Sequence, residues 1–304
     1  MDKKLAYLYI IIGASFWGII GVFVTRLYEL GFTPTQVVSI RALAAAFFLI
    51  VYASYKNRKL LQINASDSKY FIGTGIVSIV FFNLCMFNAI QETSVSIAAI
   101  LLYTAPAFVT IFSRIWFHES LTPRKISALL ITFVGCSFVI GIFPNTSDSI
   151  SLYGFVLGLG SGFFYALYSI FGKFALKKYD SLTVTVYTFI FAAVAITPFS
   201  GLTSVLPLFA NTEVWLYILG LGFLSTMLAY ILYTKGLTAV ESSRASIIAT
   251  VEPVIAALSS FLLFHETLNS WQYLGIIMVI AAVIIVQEPT NKNLRNTLVS
   301  NQSN

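Results

Sequence analysis

The residues of this chain best placed to do chemistry are charged or prolyl side chains set inside long apolar stretches. Glu252 stands in the run from Ser243 to Phe264 and is followed directly by Pro253. If that run is a helix entered near Ser243, Glu252 lies about 14 Å in, close to the midplane of a hydrocarbon core about 30 Å thick. A carboxylate there costs about 2.5–3.5 kcal/mol on insertion scales, so it is expected to face a cavity. It suits a proton-coupling acid or a partner for a substrate ammonium. A structural alternative has it accepting from backbone N–H groups freed by Pro253. Arg41 lies roughly 8 Å into the second apolar run. Its guanidinium matches a carboxylate bidentately. Equally, it is long enough to snorkel outward or to pair with an acid such as Glu29. Pro106 and Pro253 each remove a backbone donor and crowd the carbonyl four residues back, near Leu102 and Ala249. Such freed carbonyls either line a substrate site or mark a kink that shapes packing.

Trp17, Tyr103, Tyr165, Tyr168 and Tyr230 are set away from most interfacial positions and suit an apolar, hydrogen-bonding cavity wall. Packing is the competing role for each. Asn83 is a polar candidate of the same kind, and Asn88 ranks below it. Lys173, Lys177 and Lys178 read as topology anchors. His118-Glu119 and His265-Glu266 read as loop or gate residues at opposite faces. Gly154, Gly158 and Gly162 form a ladder of small residues that permits close helix approach.

Other chemistries find no support. Cys85 and Cys136 both lie in apolar runs and read as small buried residues, with no disulfide framework. With His118 and His265 they form no familiar zinc spacing, so no metal and no cofactor is expected. No nucleotide-binding Walker motif is present. A membrane-embedded enzyme would need a catalytic cluster, and Glu252 is the one acid deep in an apolar run; the chain is expected not to be an enzyme. The rings of polar residues that a channel requires are missing.

The elements that must position these residues follow from composition. The chain has 304 residues, 58% hydrophobic and 10% charged, against about 25% charged in soluble domains. Mean hydropathy is +0.87. Apolar runs of spanning length lie at 5–25, 36–55, 70–90, 95–117, 124–143, 153–175, 183–199, 214–236, 243–264 and 270–287. They are continuous rather than alternating, which predicts helices and excludes barrel strands. The first run is too long for a signal-peptide core and is read as a retained membrane helix. With the N-terminus placed inside, sixteen of the 18 Lys and Arg residues fall on the inner side, Arg26 falls outside, and Arg41 lies within a helix. That asymmetry predicts ten helices with both termini cytoplasmic. It also explains the net charge of +6 without nucleic acid as a partner. The Asn- and Ser-rich segment 289–304 reads as a disordered cytoplasmic tail.

The chain also repeats itself. Ser96, Ala98, Ile100, Pro106, Ser113 and the series Phe117-His118-Glu119-x-Leu121 recur 147 residues later as Ser243, Ala245, Ile247, Pro253, Ser260 and Phe264-His265-Glu266-x-Leu268. Tyr70, Gly73 and Gly75 match Tyr217, Gly220 and Gly222 at the same offset, and Ala45-Ala46 match Ala192-Ala193. Residues 1–143 and 151–288 are therefore read as two five-helix repeats. An odd number of helices inverts the second copy. The fold class expected is an all-α integral membrane protein of two inverted repeats, a plan with its substrate site near the midplane.

On these residues the chain resembles the EamA family of the drug/metabolite transporter superfamily. The likeness rests on Trp17-Gly18, Arg41, and the two signatures running from Ala98 through Pro106 to His118-Glu119 and from Ala245 through Glu252-Pro253-Val254 to His265-Glu266. It covers residues 5 to 287. The family's usual Gly-Glu after helices 4 and 9 is His-Glu here. The resemblance implies a bacterial-type transporter of the cell membrane that moves a small metabolite, an amino acid or a drug-like solute, by alternating access. Export is expected, with an uptake permease as the alternative. The partners implied are that solute, the lipid bilayer and, as candidate coupling ions, protons.

Overall fold

The computed structural model describes residues 1–141 and 151–287. The expected tail at 289–304 and the end of the first repeat at 142–143 lie outside the described residues. Among the described residues ten helical rods make up the bundle: α1 Lys3–Glu29, α2 Pro34–Lys56, α3 Ala65–Glu92, α4 Val95–Phe117, α6 Leu152–Ala175, α7 Ser181–Phe199, α8 Thr212–Leu237 and α9 Ser242–Leu263, with α5 Pro123–Val139 and α10 Ser270–Val286. The first eight are long and apolar enough to cross a membrane. The other two are 17 residues each. Phe47, Leu130, Ile277 and Ile284 stand exposed on the outer surface, the distribution expected where hydrocarbon is the solvent.

The ends of the rods follow local chemistry. Thr33, Thr122, Ser151, Asp180 and Asn269 each accept a hydrogen bond from a first-turn backbone N–H, and Pro34 and Pro123 occupy the first turns of α2 and α5. Three rods are broken in mid-span. The α4 rod changes direction at Tyr103–Thr104 and α9 at Thr250, each three or fewer residues before its proline. The α1 rod breaks at Ile19, where no proline stands; the apolar run alone predicts one continuous helix. Wide π-type turns occupy Ile72–Val80 of α3 and Gly220–Leu228 of α8, at corresponding places in the two halves.

The halves interlock. The α1 rod packs on α8 and α9, as α6 packs on α3 and α4; α2 packs on α8, as α7 packs on α3; α2 meets α7, and α5 meets α10. Each of these pairings of the first half with the second recurs with the halves exchanged; the packing of the start of α9 on α4 and α5 does not. Small residues bring the backbones together. A Cβ added at Gly275 would lie 2.6 Å from the Gly135 carbonyl oxygen and 2.7 Å from the Val139 nitrogen. On α6 the ladder faces α4: a Cβ at Gly162 would come within 2.8 Å of the Leu101 carbonyl oxygen, at the α4 break. Gly18 sits in the same way against α9, 2.6 Å from the Glu252 carbonyl oxygen by the same construction.

The chain leaves α4 and α9 through identical turns. His118 and His265 take left-handed backbone conformations, φ 54° and 56°, and the Glu119 and Glu266 N–H groups donate back to the Ser113 and Ser260 carbonyls. Glycine is at home at such a position, which is a physical reason for the Gly-Glu that the resemblance implies there.

Two outcomes follow. Gly275→Val is expected to lower the thermal midpoint of the detergent-solubilised protein, because overpacking against backbone costs about 1–3 kcal/mol. Gly21→Ala, with open space around it, is expected to leave that midpoint unchanged. His118→Gly is expected to retain the native midpoint and His118→Val to lower it, since a β-branched residue resists the left-handed region.

Candidate functional site

Near the middle of the bundle the broken rods surround a cavity of about 260 Å³. Trp17, Tyr28, Arg41, Phe82, Asn83, Tyr165, Tyr230 and Glu252 contribute to its wall. The lining climbs from Trp17 and Glu252 through Val24 and Val37 to Tyr28 at the α1–α2 turn. The cavity therefore opens toward that face of the bundle, the distal face. The opposite, terminal face carries the starts of α1 and α9 and the end of α10, where the Arg244 guanidinium donates to the Val286 carbonyl at 2.7 Å.

Glu252 is in the first turn of the second half of α9. The break at Thr250 turns its side chain into the cavity wall, and the Tyr165 hydroxyl donates to its Oε2 at 3.3 Å. It is thus held by a side chain from α6 of the same half of the protein. Arg41 is buried, 9% exposed. It does not pair with Glu29, which bonds Arg26 at 2.8 Å instead. Among the described residues none hydrogen-bonds or ion-pairs with Arg41. Trp17 is at the centre of an aromatic cluster. Its ring centroid lies 4.9 Å from Tyr230, 5.0 Å from Tyr233 and 6.4 Å from Tyr165. Its indole N–H is buried and has no hydrogen-bond partner among the described residues. The Asn83 amide nitrogen donates to the Ile79 carbonyl at 2.7 Å, leaving its carbonyl oxygen to the cavity side.

Two of the aromatic candidates stand elsewhere. Tyr103 and Pro106 line a small crevice behind Glu252. Tyr168 lies below the cavity, its hydroxyl bonded to Thr234 at 2.6 Å. Pro253 acts through the break that precedes it and does not reach the cavity wall. Asn88 is exposed and bonds the Leu84 carbonyl at 2.7 Å.

Toward the terminal face the bundle is closed. Under Trp17, Tyr168 packs edge to face on Tyr230 and tilted against Tyr233, and Ser169 bonds the Tyr233 hydroxyl at 2.7 Å. The Lys173 ammonium donates to the Leu237 and Val240 carbonyls, 2.7 Å each, so it ties α6 to the α8–α9 turn. Lys177 lies over the Phe117 and Phe174 rings. Lys178 bonds Asp67 at 2.6 Å. Glu241 is hydrogen-bonded by Lys125 and Arg244. Burial disfavours its carboxylate, yet these two cations hold its pKa below the ordinary range.

Sequence reasoning missed Tyr233, Phe82, Phe87 and Tyr28. Tyr233 sits one helical turn beyond Tyr230 on the same face of α8, which was a usable signal. For Phe82 and Phe87 nothing local separates a cavity ring from a lipid-facing one.

A central cavity with a cation, an acid and aromatic walls, inside a bundle whose outer surface is apolar, defines a multi-pass membrane protein of the transporter class. The chain belongs to the EamA-like transporter family, whose sequence pattern matches residues 4–141 and again 152–287. An uncharacterized transporter of Archaeoglobus fulgidus is 30% identical over 197 residues, 65% of this chain and 68% of its own. The uncharacterized transporter YyaM of Bacillus subtilis is 27% identical, covering 84% of this chain and 86% of its own. One crystal structure superposes with a TM-score of 0.78 at 14% identity, over 94% of this chain and 97% of that one; at that identity the likeness shows the fold.

In a background lacking Cys85 and Cys136, Val24→Cys is expected to react rapidly with a water-soluble thiol reagent. Ser169→Cys, under the aromatic floor, is expected to be protected. Equal rates at the two positions would contradict a cavity open at one face.

Proposed function

We propose that this protein is a secondary transporter that carries a small zwitterionic, amino-acid-like solute across the cell membrane by alternating access, in the export direction. The observation that carries the reading is the presence of Arg41 and Glu252 on one cavity wall, with Arg41 hydrogen-bonded to and ion-paired with none of the described residues. A buried guanidinium without a partner suits a bidentate carboxylate. Glu252 suits the ammonium group, and the rings of Trp17, Tyr165 and Tyr230 suit the apolar remainder and the cation face to face. The unpartnered Trp17 indole N–H is a further donor for the same ligand.

Glu252 can hold either the ammonium or a proton, and this exclusivity couples the two. A proton entering from the distal face through the open cavity displaces the solute; the protonated carrier then returns. The two five-helix repeats, read as inverted copies, supply two related packings of near-equal energy. The basic residues at the terminal face support a cytoplasmic orientation of that face by the positive-inside rule. The cavity then opens outward, the state in which an exporter releases its solute.

The test is a solute screen in proteoliposomes read at two pH gradients. Glu252→Gln is expected to abolish the pH-driven component of flux. Arg41→Lys is expected to raise KM with kcat largely retained, because an ammonium cannot reproduce the bidentate fork. Unchanged flux with an unchanged pH profile in Glu252→Gln would sink the coupling role.

A further inference from the structure

At the terminal face the two halves are clamped by one carboxylate. Glu119, just past the left-handed His118 that ends α4, is buried, 8% exposed. It reaches the first turn of α9. Its Oε1 accepts from the Ser242 N–H at 2.7 Å, its Oε2 accepts from the Ser243 N–H at 3.1 Å, and the Ser243 hydroxyl donates to the same oxygen. This carboxylate satisfies N–H groups that a helix start otherwise leaves open. Around it, the Lys125 ammonium, 1% exposed, lies 3.6 Å from Glu119 and 2.9 Å from Glu241. Arg244 in turn pairs with Glu241 at 2.5 Å.

The repeat puts the same parts at the distal face. Glu266 follows the left-handed His265 that ends the α9 rod, with the same backbone hydrogen bond to the serine six residues earlier. At the 147-residue offset, Ser242 and Ser243 correspond to Val95 and Ser96, the first two residues of α4. There the clamp is undone. Glu266 is exposed, its carboxylate has no hydrogen-bond or ion-pair partner among the described residues, and Val95 is 65% exposed. This is the face toward which the cavity opens.

We propose that Glu119 and Glu266 are the two halves of a reciprocal gate: when the terminal face opens and Glu119 releases α9, Glu266 takes the Val95 and Ser96 N–H groups and the Ser96 hydroxyl, closing the distal face. The inference rests on the alternating-access reading and gives it a specific contact at each end. The gate is unequal. Lys125 corresponds to Gln272, Glu241 to Ser94 and Arg244 to Ile97. Gln272 and Ser94 cap their own helices instead. The terminal clamp therefore has a buried cation and an additional ion pair that the distal one lacks. The unloaded carrier rests open at the distal face for that reason.

The test uses full-length protein in liposomes, without Cys85 and Cys136, carrying either Val24→Cys in the distal cavity or Ser246→Cys in the crevice near the terminal face. Labelling by a membrane-impermeant thiol reagent is read from each side, together with flux in a pH gradient. Glu266→Gln removes a side chain that holds nothing in the present state, so folding is unaffected. It is expected to keep Val24→Cys fully reactive, to leave Ser246→Cys protected, and to lower flux about tenfold, the scale of a lost charge-assisted contact; Glu266→Asp is expected to restore part of the flux. Glu119→Gln is expected to do the reverse, exposing Ser246→Cys and slowing Val24→Cys. Native flux in Glu266→Gln overturns the gate. A native carrier in which Ser246→Cys never labels, with or without a pH gradient, overturns the alternating-access reading as well.

Discussion

A carboxylate half-way through a bilayer has no water to solvate it, so the protein around Glu252 must do so, and much of the bundle's interior follows from that requirement. The α9 helix breaks at Thr250, two residues before Glu252, and turns the side chain away from lipid. A tyrosine from α6 donates to it. The glycine at position 18 lets α1 approach the Glu252 backbone closely enough to seal it from hydrocarbon. The second charge, on Arg41, is brought into the same wall from α2. Neither charge faces the apolar exterior, and both are offered to whatever enters the cavity.

The breaks that expose these groups cost little because they are covered. Pro106 and Pro253 remove backbone donors, and tightened turns at Thr104 and Thr250 bond back to Leu101 and Ile247. Gly162 on α6 and Gly18 on α1 press against the two break points. Irregular backbone at membrane depth is tolerated where protein surrounds it, and here each half of the protein covers the broken helix of the other. This reciprocal cover makes a movement of one half against the other a movement of the site itself.

The asymmetry between the two faces carries the functional content of the fold. Matching turns, matching histidines in left-handed geometry and matching glutamates stand at both ends. At one end the glutamate is buried in a network of serines, Lys125, Glu241 and Arg244. At the other it is exposed. On the proposed alternating-access reading, a duplicated sequence folded with unequal ends is one state of two, and the unequal charge decoration of the ends biases which is populated.

Much of this was legible in the sequence. Continuous apolar runs have no stable form in lipid other than the helix, so the all-helical membrane fold follows from hydropathy. Glu252, Arg41 and Trp17 stood out because charge and a polar-tipped ring are costly in apolar runs. The repeat was visible because Pro106 and Pro253, and the two Phe-His-Glu turns, recur at one offset. What sequence could not give was meeting. That Arg41 of α2, Trp17 of α1, Tyr165 of α6 and Glu252 of α9 share one wall, while Tyr168 turns to Thr234 and Glu29 to Arg26, depends on how rods distant in the chain cross and rotate. Likewise, Glu119 and Glu266 are indistinguishable as letters. Only the tertiary packing decides which of them is buried, because burial is a property of the neighbouring helix and not of the residue that meets it.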